Sequence, residues 1–320
     1  RRRHTRCSRD WSSDVCSSDL SLAPPPMGAA LGRASPPGLP RSAWLPDVPF
    51  VPDAETLCGP AVLAEALAHS GAPVALDTLR AEVYLPARQG TLQADMLAAP
   101  RRHGRVSVVL PPSLEAVLRS VSGGTPVVVL LNLSLPIWPR WHYALVTGYD
   151  LDSGELRLHS GETAHASWPL GTFEHTWARG GHWACVVQRP GEWPQDLDET
   201  RALQALVGFD RAGSSAARVT VWRSVQTRWP GRLSLSIGLA QALADDGQGA
   251  AAEATLSAWL QRHDSAAAWN NLARLRQSRG APEGARYAAE RAVRRARSTE
   301  PRWLDDALAT QRGLARPGSP

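Results

Sequence analysis

Cys58 is followed by Gly59, Pro60 and the stretch AVLAEALAHSG. Pro60 suits a first helical position, Val62, Leu63, Ala66 and Leu67 share one face, and Gly71 stops the helix. This places a thiol at a helix N-terminus, whose partial positive charge favours thiolate, and Gly59 beside it would let a substrate approach the backbone. His142 opens an apolar run, HYALVTGY, directly after Pro139, Arg140 and Trp141. A thiol and an imidazole together can run acyl transfer: the imidazole takes the thiol proton and later returns it to the leaving group. Each alone has a plainer reading, as a buried cysteine at a small-residue helix start or as a histidine satisfied within a core. Their pairing, with a helix-borne thiol early and a strand-borne imidazole late, points to chemistry.

Those two residues need a frame to hold them. After the first helix, the spacing predicts a second from Asp77 as cap through TLRAEVY, a third around Leu92–Ala99 and a fourth from Ser113 through LEAVLRSV. Short apolar runs bounded by Pro and Gly predict strands at Val106–Leu110, Val127–Leu131, His142–Tyr149 and Leu156–Leu158, with a turn at Asp152, Ser153 and Gly154. Trp183–Val187 is expected to close the sheet. Helices first and antiparallel strands afterwards define an α+β domain over 46–190.

The chain has 320 residues, 43% of them apolar, which is enough for two globular units. All 35 basic residues are Arg, in an Ala- and Pro-rich sequence. Residues 1–20 resemble, from Asp10 to Leu20, the translation of a sequencing-library adapter and are set aside as an artefact. They hold five Arg and three Asp, so 30 basic residues remain against 27 acidic ones and the net charge falls from +5 to +3. That gives no electrostatic case for nucleic acid as a partner. Cys7 and Cys16 leave with that segment, so only Cys58 and Cys185 remain, too few for a disulfide framework. Cys185, within an apolar strand, reads as an inert buried thiol. No apolar run approaches the length of a transmembrane span, no His/Cys/Asp/Glu group has zinc-type spacing, and no cofactor motif is present. Residues 21–45, rich in Pro, Gly and Ala, read as a linker.

Beyond Asp196 the pattern turns helical and repeats. Ser236, Leu239, Ala240, Leu243, Gly247, Ala252, Leu256 and Trp259, each moved forward by 33, become Trp269, Leu272, Ala273, Arg276, Gly280, Ala285, Ala289 and Ala292. A weaker copy has Phe209, Gly213, Ala217, Trp222 and Pro230. Three helical hairpins over 198–298 follow, with 299–320 as a tail. Stacked hairpins share a core and leave a concave groove for a peptide or partner protein. Arg291, Arg294, Arg295 and Arg297 read as a solvated outer face.

The segments VPFVPDAETLCGPAVLAEAL and WHYALVTGYDLDSGELRLHSG resemble the papain-like cysteine peptidase family that includes the double-glycine-leader peptidases of bacteriocin exporters. The helical repeat resembles the tetratricopeptide repeat, best in AWNNLARLRQSRGAPEGARYAAERAV. The combination is similar to a standalone bacterial subgroup whose members are often secreted or lipid-anchored. The resemblance implies that Cys58 is the nucleophile and His142 its base, acting without a cofactor on a peptide or isopeptide bond. Two positions depart from the family pattern. Its oxyanion Gln precedes the cysteine by five or six residues, where this chain has Pro52 and Asp53, leaving the Cys58 backbone N–H as part of the hole. Its third member is an Asp at the end of the next strand, where this chain has His159, Ser160 and Gly161. Ser160 is the candidate for orienting His142, with His159 second, while Asp150 and Asp152 are assigned to the turn after Tyr149. The departures keep a second reading open, a catalytically weak or inactive papain-like scaffold that acts through its helical repeats.

Overall fold

The computed structural model describes residues 36–52 and 57–315. The first part of the chain contains β1 (Ser42–Trp44), α1 (Cys58–His69), α2 (Leu76–Val83), α3 (Gln93–Arg102), β2 (Val106–Val109) and α4 (Leu114–Ser122). It continues with β3 (Val127–Asn132), β4 (Trp141–Asp150), β5 (Glu155–Ser160), β6 (Thr163–Pro169), α5 (Leu170–Arg179) and β7 (Ala184–Gln188). Helices alone follow among the described residues: α6 (Glu199–Asp210), α7 (Ser215–Arg228), α8 (Leu233–Asp245), α9 (Gly249–Leu260), α10 (Ala266–Ser278), α11 (Pro282–Ser298) and α12 (Leu304–Ala315).

The strands pair antiparallel in the order β2-β7-β3-β4-β5-β6. β3 covers Trp141–Val146 of β4, and β1 takes over along Gly148–Asp150. Alternation along β3 divides the core in two. Val127, Val129 and Leu131 face a cluster with α4, α5 and α6, whereas Val128 and Leu130 face α1, α2 and α3. A strand covered on both faces reads as one continuous apolar run, which is why VVVLL is legible.

Ser113 caps α4 as expected, its Oγ accepting from the Ala116 N–H at 3.2 Å. Asp77 does not cap α2; the helix begins at Leu76, after Ala75, and Asp77 sits in its first turn, where an acid suits the helix dipole. β7 does not close the sheet but lies inside it, between β2 and β3, because all five of its residues are buried and require neighbours on both edges. β1 emerges from the stretch expected as a linker. β6 and α5 have no counterpart in the sequence reading, since TAHASWP carries little apolar alternation and is held at the sheet edge by backbone pairing.

The helical region is joined to the sheet. Ala202, Leu206 and Phe209 of α6 and Val221 and Val225 of α7 lie in the same buried cluster as Val129 and Val146, so packing is continuous across residues 190–198. Trp222 of α7 presses on Gly238 of α8 so closely that a Cβ there would come within 2.0 Å of its ring. The two best repeat copies form the hairpins α8–α9 and α10–α11, with Gly247 (φ +75°) and Gly280 (φ +72°) at their turns. Leu239, Ala240, Ala252 and Leu256 are buried, as are Leu272, Ala273, Ala285 and Ala289. Arg276, which stands where the first copy has Leu243, points instead to Glu253 at 2.8 Å. Arg291 and Arg295 lie 3.6 and 3.7 Å from the Asp264 carboxylate on the outer face. The segment expected as a tail contains α12, whose Ala307 packs against Ala292 and Val293.

Candidate active site

Cys58 is the first residue of α1 and is partly exposed. Its Sγ accepts the N–H of Tyr143 at 3.5 Å. The sheet makes this contact available: the β4–β5 ladder ends at Leu145–His159, so two residues nearer the start of β4 the next inward amide has no partner on β5. The thiol thus lies against the backbone of β4 beside His142. From the end of β5, Ser160 reaches back so that its Oγ is 2.8 Å from His142 Nε2. The elements therefore bring Cys58, His142 and Ser160 to one place.

Burial, reinforced by the Arg140 guanidinium, lowers the His142 pKa to about 4. At neutral pH the ring is uncharged, able to accept a proton on one nitrogen and donate from the other. Cys185 is fully buried in β7, and burial pushes its thiol up to about 12. Asp53, which the family comparison placed near the oxyanion, lies outside the described residues.

Gly59 is required for a different reason from the one its position suggested. A Cβ there would meet Thr91 Oγ1 at 2.6 Å, so the glycine lets the loop before α3 close over the start of α1. The same loop accepts a hydrogen bond from Tyr143 through the Thr91 carbonyl, at 3.3 Å. Asp150 has the turn role assigned to it, its Oδ1 accepting the N–H groups of Asp152 and Ser153, while Asp152 pairs with Arg41. Among the aromatic residues near strand ends, Trp177 is buried against Phe173 and Trp183 packs T-shaped against Tyr143. Trp138, on the loop into β4, and Trp141, its first residue, are 79% and 55% exposed.

His159, the second candidate for orienting His142, does not do so. It is buried and faces Glu65 of α1, with Nδ1 3.2 Å from Oε2. Sequence reasoning missed Glu65 and His165, which continue this contact inward and outward. One signal was available: Glu65 is the single acid in a helix that is apolar from Ala61 to Ala68 on either side of it. Among the described residues, no group of three or more His, Cys, Asp or Glu could hold a metal ion, and no helix is long and apolar enough to cross a membrane.

An α+β sheet domain with a cysteine at the start of its first helix and a histidine on the facing strand defines the papain-like class. Residues 43–184, less than half of the chain, match the family model described as the Peptidase_C39 like family and form an α+β papain-like domain, followed by stacked helices over 199–315. Solved structures with a similar fold include a C39-like peptidase from Bacillus anthracis, at 18% identity and a TM-score of 0.40, covering 47% of this chain and 98% of that one. Another is the peptidase domain of Streptococcus ComA, a bifunctional ABC transporter of a quorum-sensing pathway, at 19% identity and a TM-score of 0.37, covering 44% of this chain and 98% of that one. No curated protein matches the chain.

Proposed function

We propose that the chain is a cysteine-dependent hydrolase of peptide or isopeptide bonds, with Cys58 as nucleophile, His142 as base and then acid, and Ser160 as the residue that orients His142. The observation that carries this reading is the bracketing of β4 at its start, by Cys58 Sγ on the Tyr143 amide and by Ser160 Oγ on His142 Nε2. With Nε2 turned to Ser160, Nδ1 is the nitrogen left for the thiol. The thiol proton passes to Nδ1 as sulfur attacks the substrate carbonyl, and the oxyanion faces the N-terminus of α1, where the Cys58 N–H can donate. Collapse expels the amine, which takes the proton from the imidazolium. Water, deprotonated by the same ring, then releases the acid and restores the thiol.

We assign the region 198–298 to tetratricopeptide-like repeats that recruit a substrate or partner protein. The 33-residue period supports this, as does a cavity of about 200 Å³ between α8 and α10 lined by Ile237, Gln241, Ala244, Asn271, Arg274 and Ser278. The adapter-like residues 1–20 fall outside the catalytic unit. One observation favours a second reading, a binding scaffold without turnover: the partner of His142 is a hydroxyl, which stabilises an imidazolium less than a carboxylate does.

The two readings separate in one experiment. A library of peptides is incubated with the full chain and with Cys58→Ala, and products are read by mass spectrometry. Cleavage by wild type that vanishes in the variant supports the hydrolase. Partners retained by both proteins, lost on deletion of the repeats and accompanied by no cleavage, support the scaffold.

A further inference from the structure

Glu65 lies seven residues beyond Cys58 on α1, two turns along and on nearly the same face, and it is 1% exposed. A carboxyl group so buried needs partners, and both its oxygens have one. Oε1 accepts the Val51 N–H at 2.8 Å, and Oε2 faces His159 Nδ1 at 3.2 Å. His159, also 1% exposed, sets Nε2 3.3 Å from His165 Nδ1, which in turn lies 3.2 Å from Thr147 Oγ1 on β4. Phe50 and His165 each pack against the His159 ring in a T-shaped arrangement. His165 is held at φ +51°, a left-handed conformation that costs a non-glycine residue energy and persists where its surroundings fix it.

Glu65 therefore ties together three pieces of chain that meet at the proposed site. The first is the helix that carries Cys58. The second is the segment ending at Val51 and Pro52, which leads toward Cys58. The third is the end of β5, where His159 immediately precedes Ser160, the partner of His142.

We infer that Glu65 and His159 are positioning residues, which set the register of the Cys58 helix against the strand end that orients His142. The inference rests on the proposed reading of the Cys58–His142 site. Neither residue touches the reacting atoms. Their effect is transmitted through the placement of Cys58 and Ser160, and displacements of about 1 Å can cost on the order of 10²-fold in rate at such sites.

The test is the alkylation rate of Cys58 by iodoacetamide at pH 7.5 in the full chain, followed by peptide mass spectrometry, with circular dichroism melting as the check on folding. Glu65→Ala is expected to slow alkylation by about 10–100-fold. Glu65→Gln, which keeps an acceptor for the Val51 N–H and the shape of the side chain, is expected to restore most of the rate. In a His142→Ala background Glu65→Ala is expected to cost nothing further, a coupling that loss of general stability would not produce. Should Glu65→Ala fail to fold, the double replacement Glu65→Leu with His159→Phe removes both polar groups and serves in its place, with the same slowing expected. A folded Glu65 variant that reacts at the wild-type rate, while His142→Ala is slow, overturns the positioning role and leaves the site intact. A wild-type rate in His142→Ala itself overturns the site and the positioning role with it.

Discussion

Two histidines on neighbouring strands of one sheet stand in opposite circumstances. His159 is sealed inside, with a carboxyl group on one nitrogen and a second histidine on the other. His142, at the accessible end of β4, has a hydroxyl on Nε2 and a lowered pKa. In the family pattern the acid belongs to the histidine that works with the cysteine. Here the buried acid serves the histidine that joins the helix to the sheet, and His142, the base of the proposed mechanism, has a neutral hydroxyl beside it. The difference separates two tasks: a carboxyl group, which can accept without donating, gives firm geometry, whereas a hydroxyl can donate or accept and fixes the ring tautomer less strictly.

The largest effect expected at the His142 end is chemical. Cys58→Ala should abolish turnover, and His142→Ala should lower it by about 10²–10⁴-fold, as measured by peptide cleavage, with little change in unfolding midpoint. At the His159 end the effect should fall on stability. Glu65→Ala orphans the Val51 N–H and one nitrogen of His159, and should cost about 2–4 kcal/mol in denaturant unfolding. Ser160→Ala, measured the same way, should cost about 1 kcal/mol. Equal losses from both would erase the contrast between the two regions.

A third outcome concerns pH. The folded-state pKa of His142, near 4, lies below its ordinary value of about 6.5, so folding favours the neutral ring. Its contribution is complete above pH 6.5 and is lost as pH falls toward 4, because the unfolded chain takes up the proton first. The loss should be on the order of 3 kcal/mol and absent in His142→Phe, as read from unfolding free energies across that window. The smallest change sharpens the comparison. Ser160→Asp places an acceptor-only group on Nε2 and should move the His142 pKa back up toward about 6.5 in an NMR titration, with faster Cys58 alkylation.

How much of this was legible depended on whether a residue's environment is local. Cys58 and Pro60 at a helix start, Ser113 as a cap and the apolar run of β3 all follow from neighbours within a few residues. The Ser160 contact was anticipated through the family resemblance, whose third member stands at the end of the strand after the histidine strand. The burial of Glu65 was not, since it depends on Val51 and on His159 ninety-four residues away. For the same reason Gly59 was given to substrate approach when its constraint comes from Thr91. α6 was read as the start of a separate array because its apolar face does not disclose what covers it, and β2 of the sheet does.

The most direct measurement is the rate of Cys58 alkylation from pH 5 to 9 in wild type and in His142→Ala, with Cys185 as an internal reference. Cys58 should react far faster than Cys185, and loss of His142 should slow it most between pH 6 and 8, where a neutral imidazole can still take the thiol proton. Identical profiles in the two proteins would contradict the Cys58–His142 pair.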